Sequence, residues 1–232
     1  MYGITKDKQY AVDGYKTLRS MFRQFGHGFY AIGIPVRLGL QMLKTAGMQT
    51  EYETLKNDYI RVGDTFVKNG LNYPASEVNY EQSIVAPSIM FLLQLYQETG
   101  IQKYLDEAKR QMSVLEAFAG NQPSYHLNEI AIRHWDGYWF GKYECYGDTF
   151  PHYWSTLTGD VYALYAKITG DQTYEELAKA SIRGCLNLFF ADGMASCAMV
   201  YPDTVNGKKA HYYDPWANDQ DWALYYAVKW GA

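Results

Sequence analysis

One pattern occurs three times in this chain, in residues 41–66, 95–118 and 164–189. Each copy has a helix-like apolar stripe that ends at a glycine, a tyrosine four or five residues later, and a phenylalanine at its close. The glycines and tyrosines are Gly47 and Tyr52, Gly100 and Tyr104, and Gly170 and Tyr174. Because glycine readily takes the left-handed conformation that ends a helix, each copy predicts two antiparallel helices joined by a short turn.

The helices of each pair differ in their apolar pattern. Residues 101–119 are apolar on one side only, as in a helix with one face in water, whereas residues 81–97 are apolar nearly all round, as in a covered helix. This contrast predicts outer helices at 7–24, 50–68, 101–119 and 172–190, and inner helices at 30–45, 81–97, 153–168 and 219–230. The expected fold is all-α, an α/α toroid of about eight helices in which outer and inner helices alternate.

The connections between hairpins are much longer than the turns within them. If the glycine turns lie at one end of the helices, the long connections must lie at the other end. Two of these connections, 130–146 and 194–213, are rich in β-forming residues around Asp136-Gly137 and Asn206-Gly207, and each predicts a β-hairpin. We therefore expect the functional face at the long-loop end.

Composition narrows the class of protein. The 232 residues contain no Pro/Ser-rich linker, so we expect a single domain over 1–232. A net charge of −4 without a basic run argues against nucleic-acid partners, and no apolar run approaches the ~20 residues of a membrane span. We expect a soluble protein, cytoplasmic or exported, with no cofactor and no metal, because no cysteine spacing resembles a zinc site. The three cysteines are interpreted as structural free thiols.

The two ends of the chain do not complete the pattern. The first segment resembles the second half of a hairpin, and the last inner helix has no outer partner after it. We interpret the chain as part of a longer toroid; an incomplete ring is the alternative.

Candidate catalytic residues lie where a long connection enters an inner helix. Asp148 and His152 belong to the segment YGDTFPHYW, in which aromatic neighbours can desolvate a carboxyl group and raise its pKa toward that of a general acid. The alternative for Asp148 is an N-terminal helix cap. Glu129, before the first predicted β-hairpin, is the candidate second carboxylate.

Aromatic residues in the same loops suggest carbohydrate binding. Sugar rings have apolar faces that stack on aromatic side chains, and their hydroxyl groups need polar partners around the edge. The aromatic candidates are Trp135, Trp139, Trp154 and Trp216. The polar candidates are His134, Arg133 and Glu81. The alternative is that these aromatic rings pack the β-hairpins against the helix ends.

A family resemblance supports this interpretation. The repeated hairpins resemble those of six-hairpin glycosidases, and the segments at 80–87, 134–142 and 146–154 are similar to glucuronidase-like or unsaturated-uronyl-hydrolase-like members. The resemblance implies an (α/α)6 toroid with Asp or Glu catalysts in loops near inner-helix ends. Eight helices are predicted here, whereas that ring needs twelve, so a catalytic residue of the family can lie outside this chain.

We therefore expect hydrolysis of a glycosidic bond by paired carboxylates, in an oligosaccharide or polysaccharide that contains uronic acid. Helix N-termini and nearby basic residues such as Arg133 favour an acidic sugar. One alternative is a polysaccharide lyase on the same scaffold, in which tyrosine and histidine abstract a proton next to a uronate carboxyl group. A second is a non-catalytic helical-repeat module that binds glycan or protein.

Overall fold

The computed structural model describes residues 1–25, 36–70, 82–116, 148–152, 155–195, 198–201, 204–205, 208–209 and 221–232. The chain divides into two compact units. Unit 1 comprises Met1–Asn79 and Pro87–Arg110, and unit 2 comprises Tyr80–Ala86 and Gln111–Ala232. Each unit is considered by itself below.

Helices dominate the described residues. They are α1 (Tyr2–Thr5), α2 (Lys8–Phe25), α3 (Val36–Thr45), α4 (Gln49–Asn69), α5 (Gln82–Thr99), α6 (Gln102–Glu116), α7 (Ser155–Thr169), α8 (Gln172–Leu186) and α9 (Asp221–Trp230). Helices α2 to α9 are the eight that the sequence predicts, in the predicted order. The all-α class is confirmed, with repeated helical hairpins of the α/α-toroid type; the four-residue helix α1 was not predicted.

The short turns lie at the predicted glycines. Gly47, Gly100 and Gly170 have φ values of 67°, 69° and 78°, in the left-handed region, and the following helix begins two residues after each of them. Residues with a Cβ atom rarely adopt this conformation, which explains why glycine recurs there. Asp171 then caps α8, because its Oδ1 accepts the backbone N–H of Thr173 at 3.0 Å.

Burial follows the predicted contrast between inner and outer helices. Every residue from 85 to 95 of α5 is buried, and so is every residue from 155 to 163 of α7. Helix α6 buries one stripe, formed by Tyr104, Ala108, Met112 and Leu115. In unit 2, a Cβ atom on Gly159 of α7 would lie 2.5 Å from Ile182 of α8, so the glycine permits the close approach of these two helices.

Among the residues that the structure describes, four short strands form two antiparallel ladders. Strand β1 (Asp148–His152) pairs with β2 (Ala198–Tyr201), and β3 (Thr204–Val205) pairs with β4 (Lys208–Lys209). The second ladder flanks positions 206 and 207, where the sequence predicts a β-hairpin. The hairpin predicted around Asp136-Gly137 lies outside the described residues. Strand β1 ends just before α7 begins, whereas the Gly170 turn follows the other end of α7. The ladder of β1 and β2 therefore lies at the predicted long-loop end of α7.

Helix α8 ends earlier than predicted, at Leu186 instead of residue 190. The residues that follow form a tight turn in which the N–H of Gly193 bonds the carbonyl of Phe190 at 3.0 Å. Gly193 has a φ of 86°, and Asp192 Oδ1 accepts the N–H of Met194. Asp-Gly is a strong turn signal, and here it overrides the apolar helical pattern.

Candidate functional site

Strand β1 contains two of the three predicted catalytic residues. Asp148 pairs with Tyr201, and His152 pairs with Ala198. Asp148 lies seven positions before the first residue of α7, so the helix-cap alternative for Asp148 is wrong. The TFP sequence explains the strand: threonine and phenylalanine favour extended backbone, and the proline that follows disfavours helix at the residue before it.

The ladder is irregular between the two candidates. Thr149 pairs with Val200 and His152 with Ala198, so three steps along β1 match two steps along β2. Pro151 lies within this irregularity, where a residue without an N–H group is tolerated, because no ladder hydrogen bond is lost. The two-residue alternation of a regular strand is therefore interrupted between Asp148 and His152.

The remaining predicted site residues lie outside the described residues, and their roles stay predictions. They are Glu129, Glu81, Arg133, His134, Trp135, Trp139, Trp154 and Trp216.

The repeated tyrosines have a structural role that the sequence does not reveal. In unit 1, the hydroxyl of Tyr52 donates to Glu98 at 2.6 Å, and that of Tyr104 donates to Asp64 at 2.7 Å. In unit 2, Tyr174 donates to Glu116. Burial and the acceptor carboxylate both raise the pKa of Tyr104 and of Tyr174. These phenols are therefore neutral hydrogen-bond donors between helices and poor candidates for a catalytic base.

Two outer helices carry a tyrosine and an acid at the same spacing along the helix. Asp64 lies twelve residues after Tyr52 in α4, and Glu116 lies twelve residues after Tyr104 in α6. The tyrosine that begins an outer helix thus bonds an acid at the same position of the preceding outer helix, once in each unit.

A buried carboxylate in unit 2 was missed by the sequence interpretation. Asp160 of α7 accepts hydrogen bonds at Oδ1 from Lys229 Nζ and from the indole N–H of Trp230, each at 2.6 Å. Burial raises the pKa of Asp160, and its partners in α9 act in the opposite direction. A single acid in the otherwise neutral run from 155 to 166 was the available signal. The arrangement joins α7 to α9, as a structural ion pair does.

A comparable buried carboxylate lies in unit 1. Glu98 accepts hydrogen bonds from Lys44 Nζ and from the hydroxyl of Tyr52, both at 2.6 Å, and Arg37 Nε lies 3.8 Å away. Burial alone acts to raise the pKa of Glu98, but the bonds from Lys44 and Tyr52 outweigh it and hold the pKa below its usual range. Glu98 therefore joins α5 to α3 and α4 in its ionised form.

Unit 2 also contains a cavity of about 240 Å³. It is lined by residues of the C-terminal half of α7, by residues of α8 between Glu175 and Ile182, and by Trp230 and Ala232. Strand β1 lies at the N-terminal end of α7. The cavity therefore lies at the opposite end of α7 from the candidate catalytic strand.

The described ranges show no reactive cysteine, no metal-binding cluster and no membrane-spanning helix. Cys185 is a buried thiol outside any disulfide, and burial raises its pKa to about 12, so it is unreactive near neutral pH, as the sequence interpretation expects. No group of His, Cys, Asp or Glu among these residues has the arrangement of a metal site. None of the described helices combines the length and apolarity needed to cross a membrane.

Comparison with solved structures gives an informative match. No protein-family model and no curated protein sequence matches the chain. A solved structure described as a polysaccharide lyase is 70% identical to this chain and superposes with a TM-score of 0.85. The match covers 99% of this chain and 34% of the lyase, so the chain spans about a third of the length of that protein. At this identity, the two proteins share their fold throughout the matched region.

Proposed function

We propose that this chain is part of a carbohydrate-active enzyme of the polysaccharide lyase type. The observation that carries the proposal is 70% identity over 99% of the chain to a protein described as a polysaccharide lyase. This similarity supports the carbohydrate substrate class that the sequence suggests. It favours the lyase alternative over glycoside hydrolysis, which the sequence interpretation had placed first.

The proposed reaction is β-elimination in a polysaccharide that contains uronic acid. A base removes the proton from the carbon next to the uronate carboxyl group, and the electron pair forms a carbon–carbon double bond. The bond to the glycosidic oxygen breaks, and that oxygen leaves with a proton from a general acid. The products are a new chain end and an unsaturated uronate, and no water is consumed.

We assign the base to His152, because neutral histidine accepts protons near neutral pH. Asp148 on the same strand, together with Glu129, is proposed to hold the base or to protonate the leaving oxygen. Strand β1 supports the assignment, since it brings the backbone of Asp148 and His152 to the start of the inner helix α7. Arg133 is proposed to neutralise the substrate carboxylate.

The remaining binding candidates are assigned to the sugars. Trp135, Trp139, Trp154 and Trp216 are proposed to stack on sugar rings, and His134 and Glu81 to bond hydroxyl groups. Hydrolysis would use Asp148 and Glu129 as acid and base instead, and it stays the rival reaction.

The intact protein that contains this chain, incubated with polysaccharides that contain uronic acid, separates these reactions. A lyase produces new reducing ends and, in equal amount, ultraviolet absorbance from the conjugated double bond. Reducing ends without that absorbance would establish hydrolysis. Saturable quenching of tryptophan fluorescence without either product would favour the binding module.

Substitution on β1 tests the assigned residues. We expect Asp148→Asn and His152→Gln each to lower the rate by about 10²- to 10⁴-fold, the usual effect of losing a general acid or base, while the melting temperature stays nearly constant. Asp171→Asn is the matched control, since Asp171 caps α8 at the glycine-turn end and asparagine caps equally well. Full activity of Asp148→Asn with a lowered melting temperature would assign Asp148 a structural role.

A further inference from the structure

The cavity in unit 2 lies where α7 has small side chains at positions that are large in the other inner helices. These positions are seven and four residues before the turn glycine. They are Leu40 and Leu43 in α3, Leu93 and Tyr96 in α5, and Ala163 and Ala166 in α7. Both alanines line the cavity. The side-chain volume that α7 lacks, relative to the other two inner helices, therefore accounts for open space beside it.

The lining of the cavity is apolar at the bottom and charged at the rim. Ala163, Ala178 and Ile182 are buried and form the apolar part. The charged lining residues are the more exposed Lys167, Glu175 and Lys179. A cavity of ~150 Å³ holds a benzene molecule. A volume of about 240 Å³ therefore has room for one six-membered ring with polar groups around its edge.

Trp230 supplies an aromatic wall whose orientation is fixed. Its indole N–H donates to Oδ1 of the buried Asp160 at 2.6 Å. Lys229 Nζ lies over the same ring, 5.1 Å from its centroid, so a ligand meets the indole only where the ring lines the cavity. An aromatic side chain that is already held in place packs against the apolar face of a sugar at a small cost in conformational entropy.

The two lysines at the rim differ in how far their charge is already paired. Lys179 Nζ lies 2.9 Å from a carboxylate oxygen of Glu175 and 3.2 Å from one of Glu176. Lys167 is exposed and forms no ion pair with any residue that the structure describes. The ammonium group of Lys167 is therefore available to a carboxylate of a ligand, while Glu175 and Lys179 offer an acceptor and a donor to hydroxyl groups.

We propose that this cavity is a second carbohydrate-binding site, which holds one acidic sugar residue. The sugar ring packs against Trp230 and the alanines, its carboxylate meets Lys167, and its hydroxyl groups bond Glu175 and Lys179. The choice of an acidic sugar rests on the proposed function, because a polysaccharide that contains uronic acid supplies such a residue. An aromatic acid fits the apolar lining and Lys167 but has no hydroxyl groups for the Glu175–Lys179 pair.

The proposed site is separate from the candidate catalytic strand. The lining residues of α7 lie eight to twelve positions after Ser155, the first residue of the helix, which corresponds to ~12–18 Å along the helix axis. His152 precedes Ser155 in the chain. One sugar residue does not span this distance, so binding in the cavity and binding at the catalytic strand are measured independently.

Fluorine NMR of the intact protein that contains this chain, labelled with fluorotryptophan, tests the proposal. The signal of Trp230 is identified by its loss in Trp230→Phe. Titration with methyl glucuronide should shift this signal saturably. Methyl glucoside, which lacks the carboxylate, should bind about threefold more weakly, the effect of losing one exposed ion pair.

Two variants, each with a matched control, locate the binding. Ala166→Leu fills the cavity and should abolish the shift, whereas Ala166→Ser, which adds a single oxygen atom, should keep it. Lys167→Gln should remove the preference for the glucuronide. Arg183→Gln should keep that preference, since Arg183 is exposed on α8 and does not line the cavity. Circular dichroism establishes that every variant is folded.

Four results would overturn the proposal: no saturable shift of the Trp230 signal, an undiminished shift in Ala166→Leu, an unchanged preference in Lys167→Gln, or tighter binding of benzoate than of the glucuronide. The elimination assay, run on the same protein, tells this failure from that of the proposed function. Elimination without a Trp230 shift overturns the second site and leaves the lyase reaction standing. A saturable shift without elimination supports the second site and counts against the lyase reaction.

Discussion

Glu98 in unit 1 and Asp160 in unit 2 are both buried carboxylates that join inner helices, yet their environments shift their pKa values in opposite directions. Glu98 has a lysine and a tyrosine hydroxyl as hydrogen-bond donors and an arginine nearby, and its pKa is lowered. Asp160 has a lysine and an indole N–H, both at the same oxygen, and its pKa is raised by burial.

The difference shows what decides the charge state of a buried acid. Desolvation acts against the ionised form at both sites, and the donors must outweigh it. At Glu98 the hydrogen bonds from Lys44 and Tyr52 outweigh desolvation, whereas at Asp160 desolvation outweighs the bonds from Lys229 and Trp230. The pH at which each carboxylate contributes most to stability therefore differs between the two sites.

The largest expected effect comes from removing the acceptor in unit 1. Glu98→Ala should lower the free energy of unfolding at pH 7 by about 2 kcal/mol, because the variant removes a buried carboxylate and deprives the half-exposed Lys44 and the hydroxyl of Tyr52 of their acceptor. Urea denaturation measures the change. The control is Glu53→Ala, which removes a half-exposed ion pair with Lys56 and should cost less than about 1 kcal/mol. Equal losses in the two variants would show that burial of the carboxylate does not decide its contribution to stability.

Removing one donor of Glu98 should have a smaller effect. Tyr52→Phe deletes the hydroxyl that bonds Glu98 and should cost about 1 kcal/mol, the usual net contribution of a hydrogen bond. Titration of Glu98, followed by carboxyl-carbon NMR, should show its pKa moving up toward the ordinary glutamate range. An unchanged pKa would mean that Lys44 alone holds the carboxylate ionised.

Neutralising the carboxylate in unit 2 should change stability least. Asp160→Asn keeps an oxygen acceptor for Trp230 and removes a desolvated charge, while Lys229 is partly exposed and can reach water. We expect a change in unfolding free energy of less than about 1 kcal/mol at pH 7. A loss near that of Glu98→Ala would show that the charge of Asp160 is as important as that of Glu98.

The stability of the protein should depend on pH in opposite directions at the two sites. The pKa of Asp160 is higher in the folded than in the unfolded protein, so its contribution to stability is complete below the unfolded pKa and is lost as pH rises through the folded pKa. Glu98 has the lower folded pKa, so its contribution is present above the unfolded pKa and is lost as pH falls through the folded pKa.

Melting temperatures of the wild type and of the two variants, measured between pH 3 and pH 7, should therefore change differently with pH. The wild type should gain stability relative to Asp160→Asn as the solution becomes more acidic, and it should lose stability relative to Glu98→Gln over the same range. Parallel curves for the two variants would show that the two sites do not differ as described.

The sequence predicts the local structure well and the long-range contacts poorly. Gly47, Gly100 and Gly170 mark the turns because the conformation they adopt is encoded by one residue. The bond between Asp160 and Lys229 joins residues 69 positions apart, and no local pattern selects that partner. Strand β1 pairs with β2 across about fifty residues, so the predicted helix entry at Asp148 became a strand.

The candidate site was less accessible to prediction than the fold. Composition suggested aromatic and acidic loop residues but did not separate hydrolysis from elimination, and the resemblance to six-hairpin glycosidases placed hydrolysis first. Similarity to a lyase, and not any residue pattern, reverses that order. The repeated tyrosines illustrate the limit: their period was visible, whereas their bonds to Asp64, Glu98 and Glu116 were not.

The twelve-residue spacing between Tyr52 and Asp64 in α4, and between Tyr104 and Glu116 in α6, restricts how this chain can change in length. Inserting one residue between Tyr104 and Glu116 would rotate Glu116 by about 100° around α6 and move it ~1.5 Å along the axis, away from Tyr174. A deletion would do the same in the opposite sense. The outer helices α4 and α6 must therefore keep their residue count, and insertions and deletions among related chains should occur in the long connections.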